Sequence, residues 1–334
     1  MLSICVPTWN RASWLKRCLL AIAAQSKCIA YELRVTDNAS TDDTQAIFRE
    51  LAEGMTNWHY RRNPENYGGI ANIRLCTEEA KGDYLLILGD DDLLLPDAFL
   101  RLKTALEFAR EVEAGAILAH NLRGLPSCSV LPTGFEWLKS AFVGVAAFIS
   151  SVVWRTETWR DFEYAYNPTS VYTLPHLWLF LDICLRHKVV ACNRLLVEIG
   201  HADPERGVRE DEHGLYSRWP LMDCFEYPEM YRYIVESQKL DLPTWVMVQA
   251  RRFAHLRHIP RKLLILQHNH SFFDPFITSL PVQIWKSHDR TPYLFPVHWL
   301  AVLLSRTKIG RGFADYYCGT VLGHRTLQVD EGQI

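Results

Sequence analysis

The chain has 334 residues, 49% of them hydrophobic and 22% charged, with a formal net charge of -2. That is enough chain for two domains, or for one with a large elaboration, and its charge balance gives no electrostatic case for nucleic acid as a partner. Nine cysteines occur without a C-x-x-C pair, so buried thiols in a reduced compartment fit better than a disulfide framework or a structural zinc site.

Residues 3–6 form an apolar, strand-like run that Pro7 is expected to stop, with a polar turn over residues 8–11. The run follows Met1 so closely that no signal peptide is expected, which points to a cytoplasmic location. Residues 14–24 repeat apolar side chains at helical spacing, and residues 31–37 read as a second strand. In the loop that follows, Ser40 or Thr41 is the expected cap of a helix reaching about residue 54, with Asp42 and Asp43 in its first turn. A third strand over residues 58–61, a turn over 63–69 and a helix over 70–80 come next. Residues 85–88 are then wholly apolar, as befits a strand buried on both faces, and deliver Asp90, Asp91 and Asp92 together. Strand and helix alternate throughout, which predicts an α/β fold with a doubly wound, mostly parallel, Rossmann-like sheet.

In such a sheet the loops at 8–11, 37–43 and 90–92 leave one edge, the edge where ligands bind. No G-x-G-x-x-G follows the first strand and no G-x-x-x-x-G-K-[ST] occurs, so dinucleotide and P-loop sites lose their main support. Three adjacent carboxylates repel one another unless a cation or a solvated turn relieves them. Combined with phosphate oxygens they suit Mg²⁺ or Mn²⁺. Taken alone, the same acids suit a surface turn capping the helix that begins near Pro96 and Asp97.

Beyond this point residues 93–113 read as largely helical, 116–120 as a strand, 124–132 as irregular, and 144–154 as a strand with core packing. Residues 155–166 read as a surface helix, and 174–186 as a buried helix with Pro175 in its first turn. Two short strands are expected within 189–199, then a polar loop over 200–209. From about residue 211 the pattern is aromatic-rich and mainly helical, so a helical appendage over 206–334 is expected, with a soft boundary near 205. Basic residues among apolar ones over 245–266 suit either an amphipathic face on an anionic membrane or a solvated surface. The longest uncharged stretches, 140–154 and 291–305, fall short of the roughly 20 residues a spanning helix needs.

Four motifs, Ile4-Cys-Val-Pro-Thr-Trp-Asn-Arg11, Val35-Thr-Asp-Asn-Ala-Ser-Thr-Asp-Asp-Thr44, Asn66-Tyr-Gly68 with Asn72, and Gly82-Asp-Tyr84 with Gly89-Asp-Asp-Asp92 and Pro96-Asp97, stand in this order. In residue type and spacing they resemble the successive motifs of family 2 inverting glycosyltransferases with the GT-A fold. Within that family the chain looks similar to bacterial O-antigen and capsule sugar transferases of the abequosyltransferase-like branch, over about residues 1–200.

The resemblance implies a catalytic domain over 1–205, with a nucleotide-sugar half (1–97) and an acceptor half (98–205). It implies that Pro7, Thr8 and Asn10 or Arg11 line the nucleotide pocket, that Asp37 reads the base edge, and that Asn66, Gly68 and Asn72 lie beside the nucleotide. A carboxylate suits Asp37's task because it accepts an N–H bond. Asp90 to Asp92 match the D-x-D region that touches ribose and holds a divalent cation, Mn²⁺ or Mg²⁺, on the diphosphate. The family commonly has Asp where this chain has Gly89, which leaves the ligand open; distance to Pro96 and Asp97 favours Asp91, with Asp90 and Asp92 as rivals. His201 would be a further metal or phosphate contact, and Arg206 or Arg209 would offset leaving-group charge.

Where the family places a Glu-Asp pair opening a helix, this chain has Pro175 and His176. His176 is therefore the implied catalytic base, neutral at cellular pH and kept so by the helix N-terminus, with Asp182 as the rival. The implied partners are a nucleotide-diphosphate sugar and a glycan acceptor on a lipid carrier, at the cytoplasmic face of a membrane. A sugar-phosphate nucleotidyltransferase is the rival enzyme, although its glycine-rich basic loop is missing. A degenerate GT-A protein serving as an assembly partner is the rival without catalysis.

Overall fold

The first strand, β1 (Leu2–Thr8), lies near the middle of the sheet, and its alternate side chains Leu2, Ile4 and Val6 are fully buried on one face while Cys5 is buried on the other. The protein is described as a computed structural model covering residues 1–25, 29–120, 122, 127–131, 146, 148–161, 175–193, 196–198 and 246. The chain divides into two compact units, Met1–Ser170 with Leu174–Asp203, and Val171–Thr173 with Pro204–Ile334. The expected helical appendage lies outside the described residues, apart from Val246.

The elements continue as α1 (Ala12–Ala23), β2 (Tyr31–Asp37), α2 (Thr44–Leu51), β3 (Trp58–Arg62), α3 (Gly69–Glu78), β4 (Tyr84–Ile87), β5 (Leu93–Leu94), α4 (Ala98–Glu111), β6 (Ala116–His120) and β7 (Cys128–Leu131). A 3-10 turn (Ile149–Ser151), β8 (Val152–Arg155), α5 (Thr156–Arg160), α6 (Pro175–Arg186), β9 (Val189–Asn193) and β10 (Val197–Glu198) complete the described chain. Eight strands form one sheet in the order β3-β2-β1-β4-β8-β6-β9-β7. The first four are mutually parallel, β6 and β9 run the same way, and β8 and β7 run against them. The mostly parallel α/β sheet expected from the alternation is the one observed.

Each face has its own helical cover. Leu15, Cys18, Leu19 and Ile22 make an i, i+3, i+4, i+7 stripe on α1 that meets Leu2, Ile4, Val6, Leu33 and Val35, together with Phe48 of α2 and Phe99 and Leu102 of α4. On the opposite face Trp154 of β8 packs at 5.2 Å from Trp159 of α5 and edge-on at 6.2 Å from Phe180 of α6. Fully burying a side chain of this size contributes roughly 1.5–3 kcal/mol, so the two layers hold the sheet from both sides. Among the described residues no helix is long and apolar enough to cross a membrane.

Five local expectations are corrected. Pro7 does not stop β1, which runs to Thr8: pairing with β4 ends at Cys5, so the missing N–H of Pro7 breaks no bond on that side. Leu93 and Leu94 are not helical but pair antiparallel with Glu198 and Val197, a partner over a hundred residues away, and the helix waits until Ala98. Residues 128–131 are a strand rather than irregular, because β9 supplies an edge for them. Trp159 lies in a helix expected at the surface yet is 4% exposed, packed at a tilt against Trp154 and donating its indole N–H to Thr77. Finally, α2 starts at Thr44, and neither Ser40 nor Thr41 caps it: Asp42 Oδ1 accepts from the Thr44 backbone N–H at 3.1 Å and its hydroxyl at 2.5 Å.

Candidate active site

Because β1, β2, β3 and β4 are parallel, their carboxyl ends at Thr8, Asp37, Arg62 and Ile87 open on one edge. Thr8 is in register with Asp37 and Asp37 with Arg62. Backbone bonds continue the ladder past the strands, from Asn38 N to Thr8 O at 2.9 Å, from Asn63 N to Asp37 O at 2.8 Å and from Leu88 N to Cys5 O at 2.9 Å. The loops expected to carry the site are thus anchored side by side.

Four asparagines tie them together. Asn72, 3% exposed, donates to the carbonyls of Thr36 at 3.0 Å and Thr8 at 3.4 Å, and accepts from Asn63 Nδ2 at 2.9 Å. Asn63 Nδ2 also reaches Asn38 Oδ1 at 2.9 Å, which takes the Tyr67 backbone N–H at 3.0 Å, while Asn38 Nδ2 donates to Asn66 Oδ1 at 2.5 Å. Asn72 is therefore an internal tie under the loops, and Asn66 orients the turn at Gly68, whose N–H it accepts at 2.9 Å. Gly68 has φ 83° and ψ 161°, while a Cβ built on it would meet open space. The backbone conformation, not lack of room, demands glycine there.

Asp37 is 1% exposed and well partnered. Its Oδ1 accepts the Ser40 N–H at 2.8 Å, and its Oδ2 accepts the Tyr60 hydroxyl at 2.6 Å with Arg62 Nε at 3.4 Å. Burial, then the bond to Asp37 and that residue's charge, push the Tyr60 hydroxyl pKa well up, so it stays a donor. Arg62 also donates to the Ser40 carbonyl at 2.7 Å. A carboxylate has about four acceptor positions, and these donors fill three of them. Two non-glycine residues of these loops, Asn10 (φ 51°) and Ala39 (φ 64°), sit in the left-handed region, held there by Asn10 N to Ser40 Oγ at 2.8 Å and Thr41 N to Asn10 Oδ1 at 2.7 Å.

The three acids after β4 have unequal surroundings. Asp90 accepts the Thr8 hydroxyl at 2.7 Å and Arg11 Nη1 at 3.0 Å, with its side chain 6% exposed. Burial pushes its pKa up to about 6 despite the opposing pull of Arg11 and Thr8, and the neighbouring Asp91 adds to the rise. Asp92, 4% exposed, accepts the Ser150 hydroxyl at 2.6 Å, and the same hydroxyl accepts the Gly89 N–H at 3.0 Å. Asp91 is 28% exposed at its side chain, and Arg11 Nη1 stands 3.2 Å from its Oδ2. A Cβ on Gly89 would lie 2.7 Å from Asp92 Oδ2 and 3.0 Å from Asp91 Oδ1. The carboxylates of Asp91 and Asp92 thus lie where a side chain at position 89 would begin and would have to shift to admit an aspartate there.

A hard divalent cation takes oxygen ligands and keeps several waters. Asp91 fits such an ion, being the acid of the three that is open to solvent, whereas Asp90 and Asp92 are buried and committed to Thr8, Arg11 and Ser150. No group of three His, Cys, Asp or Glu converges among the described residues, so an ion on Asp91 would complete its shell with water and ligand oxygens. His201 lies outside the described residues, as do Arg206 and Arg209.

His176, 6% exposed, is on the first turn of α6. The far end of that helix meets the start of β6, where Gly115 N donates to Lys188 O at 2.9 Å and a Cβ on Gly115 would come within 2.8 Å of His187 Cβ. Twelve residues of helix rise about 18 Å, which separates His176 in the first turn from the end of α6 beside Gly115. Asp182 lies half a helix further on, 4% exposed, and its carboxylate is paired with Arg186 one turn on. Sequence reasoning passed over Tyr60, Arg62 and Ser150. The first two were accessible in principle, as alternate residues of a strand adjoining Asp37; Ser150 comes from a segment about sixty residues beyond the turn it braces.

The fold and the carboxylate-bearing edge define a GT-A-type α/β protein. Residues 3–126 match the family model described as glycosyl transferase family 2. Among curated relatives, abequosyltransferase RfbV of Salmonella typhimurium is 30% identical over 219 residues, covering 57% of this chain and 64% of that protein. The GalNAc(5)-diNAcBac-PP-undecaprenol beta-1,3-glucosyltransferase of Campylobacter jejuni is 33% identical over 112 residues, covering 33% of this chain and 35% of that protein. The chain thus spans less than two thirds of the length of these relatives. Among solved structures, S. aureus TarS in complex with UDP-GlcNAc superposes with a TM-score of 0.54 at 17% identity, covering 95% of this chain and 91% of that one. Mannosyltransferase PcManGT from Pyrobaculum calidifontis, in complex with GDP-Man and Mn²⁺, gives 0.54 at 15% identity, covering 94% and 82%. At such identity these two likenesses speak for the fold.

Proposed function

We propose that this chain is a metal-dependent inverting glycosyltransferase that moves a sugar from a nucleotide-diphosphate donor to a hydroxyl of a glycan acceptor in bacterial surface polysaccharide synthesis. The observation that carries the reading is the turn from Gly89 to Asp92, braced against Thr8, Arg11 and Ser150 at the carboxyl edge of the stretch that matches the family 2 model. Residues 1–97 hold the donor and 98–205 the acceptor. The loop after β1 lines the nucleotide pocket with Pro7, Thr8 and Asn10, and Asp37 offers its remaining acceptor position to the base.

Asp91 would hold a divalent ion, Mn²⁺ or Mg²⁺, which when bound would supply charge neutralisation to the leaving diphosphate. His176 takes the proton from the acceptor hydroxyl as that oxygen attacks the anomeric carbon from the face opposite the nucleotide, which departs as a nucleoside diphosphate. Asp182, already paired with Arg186, serves the helix. The relative named for an undecaprenol-linked substrate supports a lipid-linked acceptor, which would lie at the cytoplasmic membrane face. The test is incubation of the purified full chain with UDP, GDP, CDP and dTDP sugars and Mn²⁺ or Mg²⁺. Release of nucleoside diphosphate with inversion at the anomeric carbon is expected. Failure to bind any nucleoside diphosphate overturns the reading, and release of pyrophosphate would assign the chain to nucleotidyl transfer instead.

A further inference from the structure

The pairing of Arg11 divides the acid turn into two kinds of carboxylate. One nitrogen, Nη1, stands 3.0 Å from Asp90 Oδ1 and 3.2 Å from Asp91 Oδ2, so one guanidinium balances two negative charges. Asp90 has a second donor in Thr8 and is buried, which fixes it as the permanent partner. Asp92 is braced by Ser150. For Asp91, more open than either neighbour, the polar contact among the described residues is Arg11 itself. The side chain of Arg11 is 27% exposed and rooted at the mouth of α1, so it lies at the boundary between the buried turn and solvent.

A divalent ion arriving at Asp91 meets a cation already there. Like charges a few ångströms apart in a partly desolvated site repel strongly, so ion and guanidinium cannot both sit against the same carboxylate oxygen. Loss of the Asp91 contact leaves Arg11 on Asp90, beside the edge where a diphosphate would lie, and a guanidinium suits phosphate oxygens. We propose that Arg11 is the resident counter-cation of Asp91, exchanged for the divalent ion when nucleotide diphosphate binds, so that the ion binds weakly to the empty protein and cooperatively with nucleotide. The inference rests on the donor-binding reading above and adds an order of events to it.

The experiment follows free Mn²⁺ by electron paramagnetic resonance during titration of the full chain, first alone and then with saturating UDP or GDP. Arg11→Gln is compared with wild type, and Arg11→Met, which keeps the aliphatic stem, is the second neutral variant. Without nucleotide, either variant is expected to bind Mn²⁺ about tenfold more tightly than wild type, the scale expected when one neighbouring charge is removed from a partly screened site. The tightening of Mn²⁺ binding by nucleotide should shrink by a similar factor, and Asp91→Asn should abolish the gain. Mn²⁺ affinity that is unchanged or weaker in both neutral variants, or undetectable in all proteins, overturns the exchange. If neither UDP nor GDP binds any of the proteins while the neutral variants still gain Mn²⁺ affinity, the fault lies with the donor reading and the counter-cation role stands.

Discussion

Asp90→Asn probes the electrostatics of the acid turn without any ligand. The carboxyl pKa rises from 3.8 to about 6 in the fold, chiefly through burial. At 1.36 kcal/mol per pH unit this corresponds to a penalty of about 3 kcal/mol once the group is ionised in both folded and unfolded chains. The folded pKa is the higher one, so the group favours the fold at low pH, and that advantage is lost as pH rises from about 4 through about 6. Between pH 4.5 and 7.5 the wild type should lose roughly 2 kcal/mol that the asparagine variant keeps. The assay is urea unfolding of both proteins in EDTA at pH 4.5, 5.5, 6.5 and 7.5. With a denaturant slope of about 3 kcal/mol/M, the midpoint of the variant relative to wild type should climb by roughly 0.7 M across that range. Arg11 and Thr8 are the groups bonded to Asp90 in the folded protein and both are present at every pH of the series, so the trend reads this carboxyl. A midpoint difference flat with pH, or one moving the other way, would refute the account of a carboxyl whose burial outweighs its arginine.

Ser150→Ala leaves the Gly89 N–H and an Asp92 oxygen short of a buried partner, which should cost roughly 2–4 kcal/mol, seen as a fall of several degrees in Tm and weaker nucleotide-dependent Mn²⁺ binding. Gly68→Ala meets no steric obstacle, yet the positive φ should destabilise the protein by about 1–3 kcal/mol; an unchanged Tm would mean the turn relaxes freely. Tyr60→Phe removes a donor from Asp37 and should weaken nucleotide binding several-fold while leaving the maximal rate with a saturating donor near wild type. His176→Ala should lower transfer by at least about a hundredfold with nucleotide affinity intact, whereas Asp182→Asn should lower stability more than rate.

Local chemistry made the parallel core legible in sequence. Runs such as residues 3–6 and 85–88 are apolar because both faces are covered, the α1 stripe has the 3.6-residue period of a one-sided helix, and acidic or asparagine-rich loops at the strand exits have nowhere to go but the carboxyl edge. Spacing alone delivered Thr8, Asp37 and the acids after β4 to that edge. What tertiary structure decided was the environment of each group. Three consecutive aspartates are indistinguishable in sequence, yet Thr8, Arg11 and Ser150 make one buried and strongly perturbed, one braced and one open. Leu93 and Leu94 became a strand and Trp159 became core because their partners, Val197, Glu198 and Thr77, come from distant segments that no local period encodes. Propensity and periodicity act over a few residues and so are written along the chain, whereas burial, counter-charge and strand pairing depend on which remote surfaces meet.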